Sequence, residues 1–268
     1  VETPTLHPIA GGAAARPSET HHNALDADLY LRIAPELYLK RLIVGGLERV
    51  FEVSRNFRNE GLSTRHNPEF TMLELYEAQG DFRRMMEITE QIFERCAVAL
   101  NGGTEVTFRE NGYELKAPFQ RARYTDLFEE HAGCAFDDEA AVRAKAKELK
   151  LDHANEDFWK VMSDVFDETV EPHLSGPIFV THYPVGISPL AKQAPEDPRL
   201  TERFEVFIAQ DIPLAALSAR AEDELDRHGR HFRRRRRARH DPLDHGRVPA
   251  GDAGHAARQP GGSADHAG

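Results

Sequence analysis

Cysteine is almost absent from this 268-residue chain: Cys96 and Cys134 are its only two, and neither stands at a metal-ligand spacing. A disulfide framework and a cysteine zinc site are thereby excluded, and a reducing compartment, most simply the cytoplasm, is the expected setting. Long apolar runs are also missing. No stretch approaches the ~20 residues that cross a bilayer, so no membrane partner is expected. Val1–Pro8 carries neither a basic nor an apolar leader segment, so no signal peptide is expected. Positive charge is in deficit, with 34 Lys and Arg against 45 Asp and Glu and a net charge of −11. The deficit is steeper before residue 218, because residues 218–268 hold 11 of the basic residues and 8 of the acidic ones, leaving 23 against 37. An acidic body excludes general electrostatic binding of nucleic acid. Any nucleic acid has to be met by a local basic patch or by another domain.

What is present is an ordinary globular composition, 40% hydrophobic and 29% charged, long enough for one large core or two small ones. Its most informative stretch is Arg49 to Ala78, RVFEVSRNFRNEGLSTRHNPEFTMLELYEA. Val50, Glu52 and Ser54 alternate with Phe51, Val53 and Arg55, and Phe70, Met72, Glu74 and Tyr76 share one face. The pattern predicts two strands of a long hairpin, with turn formers Gly61, Asn67 and Pro68 between them. Polar groups are dense on these strands: Arg58, Glu60, Arg65, His66, Asn67, Glu69 and Glu74. Arginine presents a fork of donors that suits phosphate or carboxylate, and Glu74 and Tyr76, two apart, point to one side where they can hold an ammonium. A solvated hairpin with internal salt bridges is the competing reading.

The FRNE run (Phe57 to Glu60), the RHNPEF run (Arg65 to Phe70) and the ELY run (Glu74 to Tyr76) resemble motif 2 of the class II aminoacyl-tRNA synthetases, and more narrowly the lysyl-tRNA synthetases. GGAAARP (Gly11 to Pro17), THHNALD (Thr20 to Asp26) and LRIAPELYLKRL (Leu31 to Leu42) resemble the same family in the same order. The resemblance implies an α+β fold, a class II synthetase-like antiparallel sheet flanked by helices and incomplete at its C-terminal side. It covers about residues 1–209 as a partial catalytic core, with residues 210–268 expected to be disordered or an out-of-frame tail. Val1-Glu2-Thr3-Pro4 resembles the end of motif 1, so the dimer-forming helix of that motif and the anticodon-reading domain are expected to lie outside this chain, and so is motif 3.

Other elements are read from local patterns. Leu29 to Ile33 alternates as a strand, and Pro35 fits the first turn of a helix from Glu36 to Val44 that stops at Gly45-Gly46. At that helix N-terminus the Glu36 carboxylate serves either as an electrostatic cap or as an amine ligand. Asp81 caps an amphipathic helix that ends at Gly102-Gly103. Val106–Phe108 and Tyr113–Leu115 flank a Glu110-Asn111-Gly112 hairpin turn. Residues 125 to 175 read as helices capped by Thr125 and Asp138, with Phe158, Val161, Met162, Val165, Phe166 and Val170 as a core stripe beside Trp159. Ile178–Val180 and Phe204–Ile208 read as strands, and Lys192 is either a phosphate ligand or a solvated lysine. In the tail, Arg233 to Arg237 suggest nucleic acid and His228, His231, His240 and His245 suggest a metal, but neither reading has supporting periodicity or ligand geometry.

Carried over from the family, Arg58 would bridge the lysine carboxylate and the α-phosphate of ATP as the catalytic residue. Glu60 would accept from the adenine amino group, Phe70 would stack on the base, Arg65 and His66 would hold the outer phosphates, and Asn67 would support ATP. Gly12 and Glu36 would meet the α-amino group, and Glu74 and Tyr76 the side-chain ammonium. The resemblance therefore implies activation of lysine by ATP, with magnesium on the phosphates, no protein metal ligands in this chain, tRNA(Lys) as acceptor and a homodimer in the intact family. Two alternatives remain open: a paralogue that attaches β-lysine to elongation factor P, and a non-catalytic partner-binding chain.

Overall fold

The computed structural model describes residues 1–13, 15–61, 67–108, 110–151 and 155–208. The chain opens with β1 (Leu6–His7), β2 (Glu19–His22) and β3 (Ala27–Leu31), which form a small antiparallel sheet with β3 in the middle. Helix α1 (Glu36–Val44) follows. The long hairpin comes next, β4 (Arg49–Phe57) against β5 (Glu69–Glu77), in unbroken antiparallel register from Arg49↔Glu77 to Phe57↔Glu69. Two backbone bonds fasten the first sheet to the hairpin, from Phe57 N–H to the Arg32 carbonyl (2.8 Å) and from Asn59 N–H to the Arg16 carbonyl (2.8 Å). The chain's first residue also lies along β4, its ammonium donating to the Phe51 carbonyl at 3.0 Å.

Helix α2 (Phe82–Asn101) starts where the sequence places it: the Asp81 carboxylate accepts the Arg84 N–H at 2.8 Å, and Gly102 ends the helix in the left-handed conformation at φ 76°. Strands β6 (Glu105–Phe108) and β7 (Asn111–Glu114) pair with each other. The Asn111-Gly112 turn is corrected here. Both residues are paired in β7, opposite Phe108 and Thr107, because half-buried Val106 and Tyr113 pack together against the core below α2 and that packing sets the register.

Strand β8 (Gln120–Arg123) leads into α3 (Tyr124–Ala132), α4 (Glu139–Glu148) and α5 (Phe158–Thr169). Asp138 caps α4 through the Ala141 N–H, as expected, but Thr125 sits inside α3 rather than before it, since the helix begins directly at the end of β8 with Arg123 at the cap position. Pro35 likewise stands one residue ahead of α1. Strand β9 (Ile178–Thr181), entirely buried, is the centre of a three-stranded sheet. It pairs parallel with β8 and antiparallel with β12 (Phe204–Phe207), so the sheet is mixed where an antiparallel one was expected. A short ladder of β10 (Gln193–Ala194) and β11 (Asp197–Thr201) lies between β9 and β12 in sequence. The overall class, antiparallel sheets flanked by helices in an α+β chain, is as the sequence implied.

Alternation in β9 divides the interior. Ile178 and Val180 face one core with Val161, Met162, Val165 and Phe166 of α5 and Tyr124 and Phe128 of α3, whereas Phe179 faces a second core with Phe82 and Met86 of α2, Phe119 and Phe204. Of the expected α5 stripe, Val161, Met162, Val165, Phe166 and Val170 are buried, and Phe158 is partly buried against the same core. Trp159, on the same helix, lies flat on Gly186, so a Cβ there would fall inside the indole ring. Gly186→Ala is therefore expected to cost about 1–3 kcal/mol through overpacking and to change the emission of the single tryptophan; an unchanged urea midpoint would show that the ring has room to move.

Candidate functional site

The hairpin is turned inside out relative to an ordinary half-buried sheet. Phe51, Val53 and Leu73 are exposed, whereas the other face presents Val50, Glu52, Ser54 and Asn56 opposite Tyr76, Glu74, Met72 and Phe70. Burying polar side chains is unfavourable unless each finds a partner, so each partner on this face is informative.

Glu52 and Arg32 account for one another. Glu52 is 2% exposed and takes Arg32 Nη1 at 2.6 Å, the Thr3 hydroxyl at 2.7 Å and the Thr3 N–H at 3.3 Å. The remaining Arg32 donors reach the Arg55 and Thr3 carbonyls at 3.1–3.3 Å. This pair is closed and has no capacity left for a ligand.

Glu74 is different. It stands directly across the ladder from Glu52, and among the described residues it accepts only the Tyr76 hydroxyl, at 3.2 Å, and forms no ion pair with a lysine or arginine. Burial pushes its carboxyl up to about 7; Glu36 and Glu52 add to the rise, and the Tyr76 hydrogen bond and the Arg58 charge oppose it. Glu36 is buried at the first position of α1 and pairs with Lys40 at 2.9 Å. Gly12 lies against it. At φ 96°, a Cβ on Gly12 would meet Ala34 Cβ at 3.3 Å and Glu36 Cβ at 3.5 Å, so this position needs glycine for both conformation and space.

Arg58 continues the same row beyond the strand end. Its N–H donates to the Pro68 carbonyl at 2.9 Å, its guanidinium lies over the Phe70 ring at 5.2 Å, and its Nε is buried with no acceptor. Ser54 Oγ and Asn56 Oδ1, on the same face, are also buried without partners. The sequence-predicted residues Gly12, Glu36, Arg58, Phe70, Glu74 and Tyr76 thus lie together along one wall. Glu60 and Asn67 do not join them: both are exposed near the hairpin tip, where the strand pairing has ended. Arg65 and His66, like the arginine and histidine runs of the tail, lie outside the described residues. Lys192 pairs with Glu202 at 2.9 Å, so it is not held in reserve for a phosphate. Sequence reasoning passed over Arg32, Glu52, Ser54 and Asn56. The available signal was three polar residues in succession, Glu52, Ser54 and Asn56, at the inward positions of the strand.

Chemically, the wall offers a half-buried carboxylate among other carboxylates at one end and an arginine with an open donor over an aromatic ring at the other. Such an arrangement suits a molecule with an ammonium at one end and an anionic group at the other.

The family model that matches residues 1–237 is described as tRNA synthetases class II (D, K and N). Among the relatives found, the lysine–tRNA ligase of Carboxydothermus hydrogenoformans is 54% identical over 212 residues, covering 78% of this chain and 43% of that protein. Those of Thermoanaerobacter pseudethanolicus and Pelotomaculum thermopropionicum are 55% and 49% identical, covering 78% and 86% of this chain and 42% and 46% of theirs. The chain thus spans less than half the length of these curated relatives. A match over most of its residues means that the chain belongs to the class II tRNA synthetases of the D, K and N group, and within it resembles the lysine–tRNA ligases.

Proposed function

We propose that this chain carries the lysine-binding and part of the ATP-binding surface of a lysine–tRNA ligase, the enzyme that activates lysine as lysyl-adenylate and passes it to tRNA(Lys). The supporting observation is the gathering of Gly12, Glu36, Glu74 and Tyr76 at one end of a wall whose other end is Arg58 over Phe70. In this reading Glu74 and Tyr76 receive the side-chain ammonium, the Gly12 backbone and Glu36 receive the α-amino group, and Arg58 turns its open Nε toward the lysine carboxylate and the α-phosphate. Adenylation joins two anions, so the step that the protein assists is alignment and charge neutralisation, which falls to Arg58; no covalent protein intermediate is required. Phe70 would present its ring to adenine.

Magnesium accompanies ATP. Among the described residues no group of three or more histidine, cysteine, aspartate or glutamate side chains is placed to hold a metal ion, so its ligands here would be the phosphates, and no step runs through it.

Lysine-dependent exchange of pyrophosphate into ATP tests the catalytic part. In a chain completed with the rest of the ATP site, Arg58→Ala is expected to lower it by roughly 100-fold or more, as removal of a transition-state donor does. Calorimetry with lysine and norleucine tests the recognition part separately: equal binding of the two would remove Glu74 and Tyr76 from the lysine site. Exchange that does not depend on lysine would remove the ligase reading.

A further inference from the structure

A second polar recess lies away from the hairpin, between α5, the turn at Glu171–His173 and the start of β12. It encloses about 190 Å³ and is lined by Tyr124, Asp167, Glu171, Tyr183, Arg203 and Glu205, among others. At about 30 Å³ per water, this is room for roughly six waters or one small organic ion, well below the size of a drug-like pocket.

Its chemistry is lopsided. Three carboxylates face the recess against one cation, Arg203, and that cation is already committed: its guanidinium bonds Glu205, donates to the Ser188 hydroxyl at 2.8 Å and lies 4.3 Å from the centre of the Tyr183 ring. Asp167 has no ion-pair partner among the described residues. The buried Tyr124 hydroxyl has no hydrogen-bond partner among the described residues, whereas the Tyr183 hydroxyl is coupled to the Glu205 carboxylate. Tyr124 is held rigidly, stacked on Phe166 with centroids 4.1 Å apart. A buried hydroxyl left without a partner is unfavourable, and the Tyr124 hydroxyl at a recess that also holds Asp167 points to a ligand that donates hydrogen bonds.

A metal ion does not suit this donor set, since no three ligating side chains among the described residues converge. A nitrogen cation does. Its N–H groups can donate to Asp167 and to the Tyr124 hydroxyl oxygen together.

We propose that this recess binds a small organic cation carrying a primary ammonium or a guanidinium group, seated on Asp167 beside the Tyr124 hydroxyl. The site is independent of the lysine wall.

Charge linkage supplies the signature. Burial raises Asp167 to about 7, with Glu171, Asp164 and Glu205 adding to the rise and Lys160 opposing it, and Glu205 is raised as well, chiefly by burial against the opposing charge of Arg203. A cation binds the ionised form, so its affinity should climb as pH passes through 7.

The test is calorimetric titration of the full chain with propylammonium and with methylguanidinium at pH 6 and pH 8, using propanol and methylurea as neutral counterparts. At least one cation is expected to bind roughly tenfold more tightly at pH 8 than at pH 6, the neutral molecules not at all. Asp167→Asn should abolish this binding, and Tyr124→Phe should weaken it without loss of thermal stability. Glu74→Gln should leave it intact. Absence of binding by both cations at pH 8, equal binding of the neutral counterparts, or binding that survives Asp167→Asn but disappears in Glu74→Gln would overturn the proposal; the last result would assign the cation to the lysine wall instead.

Discussion

An Arg32→Met variant is expected to lose about 3–5 kcal/mol of unfolding free energy, a large part of what a domain of this size has. Arg32 and Glu52 have side chains 4% and 2% exposed and sit 2.6 Å apart, so deleting the cation leaves a carboxylate inside the protein with only the Thr3 donors to solvate it. The surroundings make the loss worse. Glu52 faces Glu74 across the ladder, and the uncompensated charge would press on a second buried acid. The loss is therefore mainly the penalty of an orphaned charge rather than the net strength of the pair. Removing both charges, in Arg32→Met with Glu52→Leu, should recover most of the stability. Urea unfolding of the two single variants and the double variant decides the matter. A drop below about 1 kcal/mol in Arg32→Met would mean that the pair is hydrated, contrary to its burial.

The hairpin was legible in the sequence because its two strands are long, strictly alternating and bounded by turn formers, so periodicity fixed which residues share a face. Helices α1 and α2 were legible because punctuation and amphipathic stripe agreed: Pro35 and Gly45 around one, Asp81 and Gly102 around the other. What escaped were elements held by contacts distant in sequence. Strand β8 is only Gln120–Arg123, with no apolar alternation, and exists because its backbone pairs with buried β9. The Asn111-Gly112 turn failed because cross-strand packing outweighed local turn preference, and Thr125 failed because α3 grows straight out of a strand whose position tertiary pairing sets. Within the site, resemblance supplied the residues that would touch ligand but not those beneath them. Glu52 looks like any strand glutamate until Arg32, twenty positions earlier, is seen to meet it. Asp167 is likewise one acid among several on α5, and its environment comes from burial first, then from Glu171 beyond the helix and Asp164 within it, with Glu205 on another element adding.

The second large effect is a conflict between stability and recognition at Glu74. Its carboxyl is raised to about 7 by burial and by the neighbouring Glu36 and Glu52, against an ordinary value near 4.5. A raised acid holds its proton more tightly in the folded chain than in the unfolded one. Its favourable contribution is therefore present below pH ~4.5 and is lost as pH rises through 7, a difference of about 3 kcal/mol. Glu74→Gln keeps the shape and removes the ionisation. It should match the parent chain at pH 5 and exceed it in stability by up to about 3 kcal/mol at pH 8. The same substitution should weaken lysine by roughly 30-fold or more, because the side-chain ammonium, charged to beyond pH 10, loses its buried counter-ion. In the parent chain lysine should bind about tenfold more tightly at pH 8 than at pH 6, since only the ionised Glu74 receives it. Thermal unfolding and lysine calorimetry on both proteins at pH 5, 6 and 8 read all of these. If Glu74→Gln were no more stable at pH 8 and bound lysine as the parent does, Glu74 would be an ordinary solvated acid, and the wall would have no reason to prefer an ammonium over an apolar side chain.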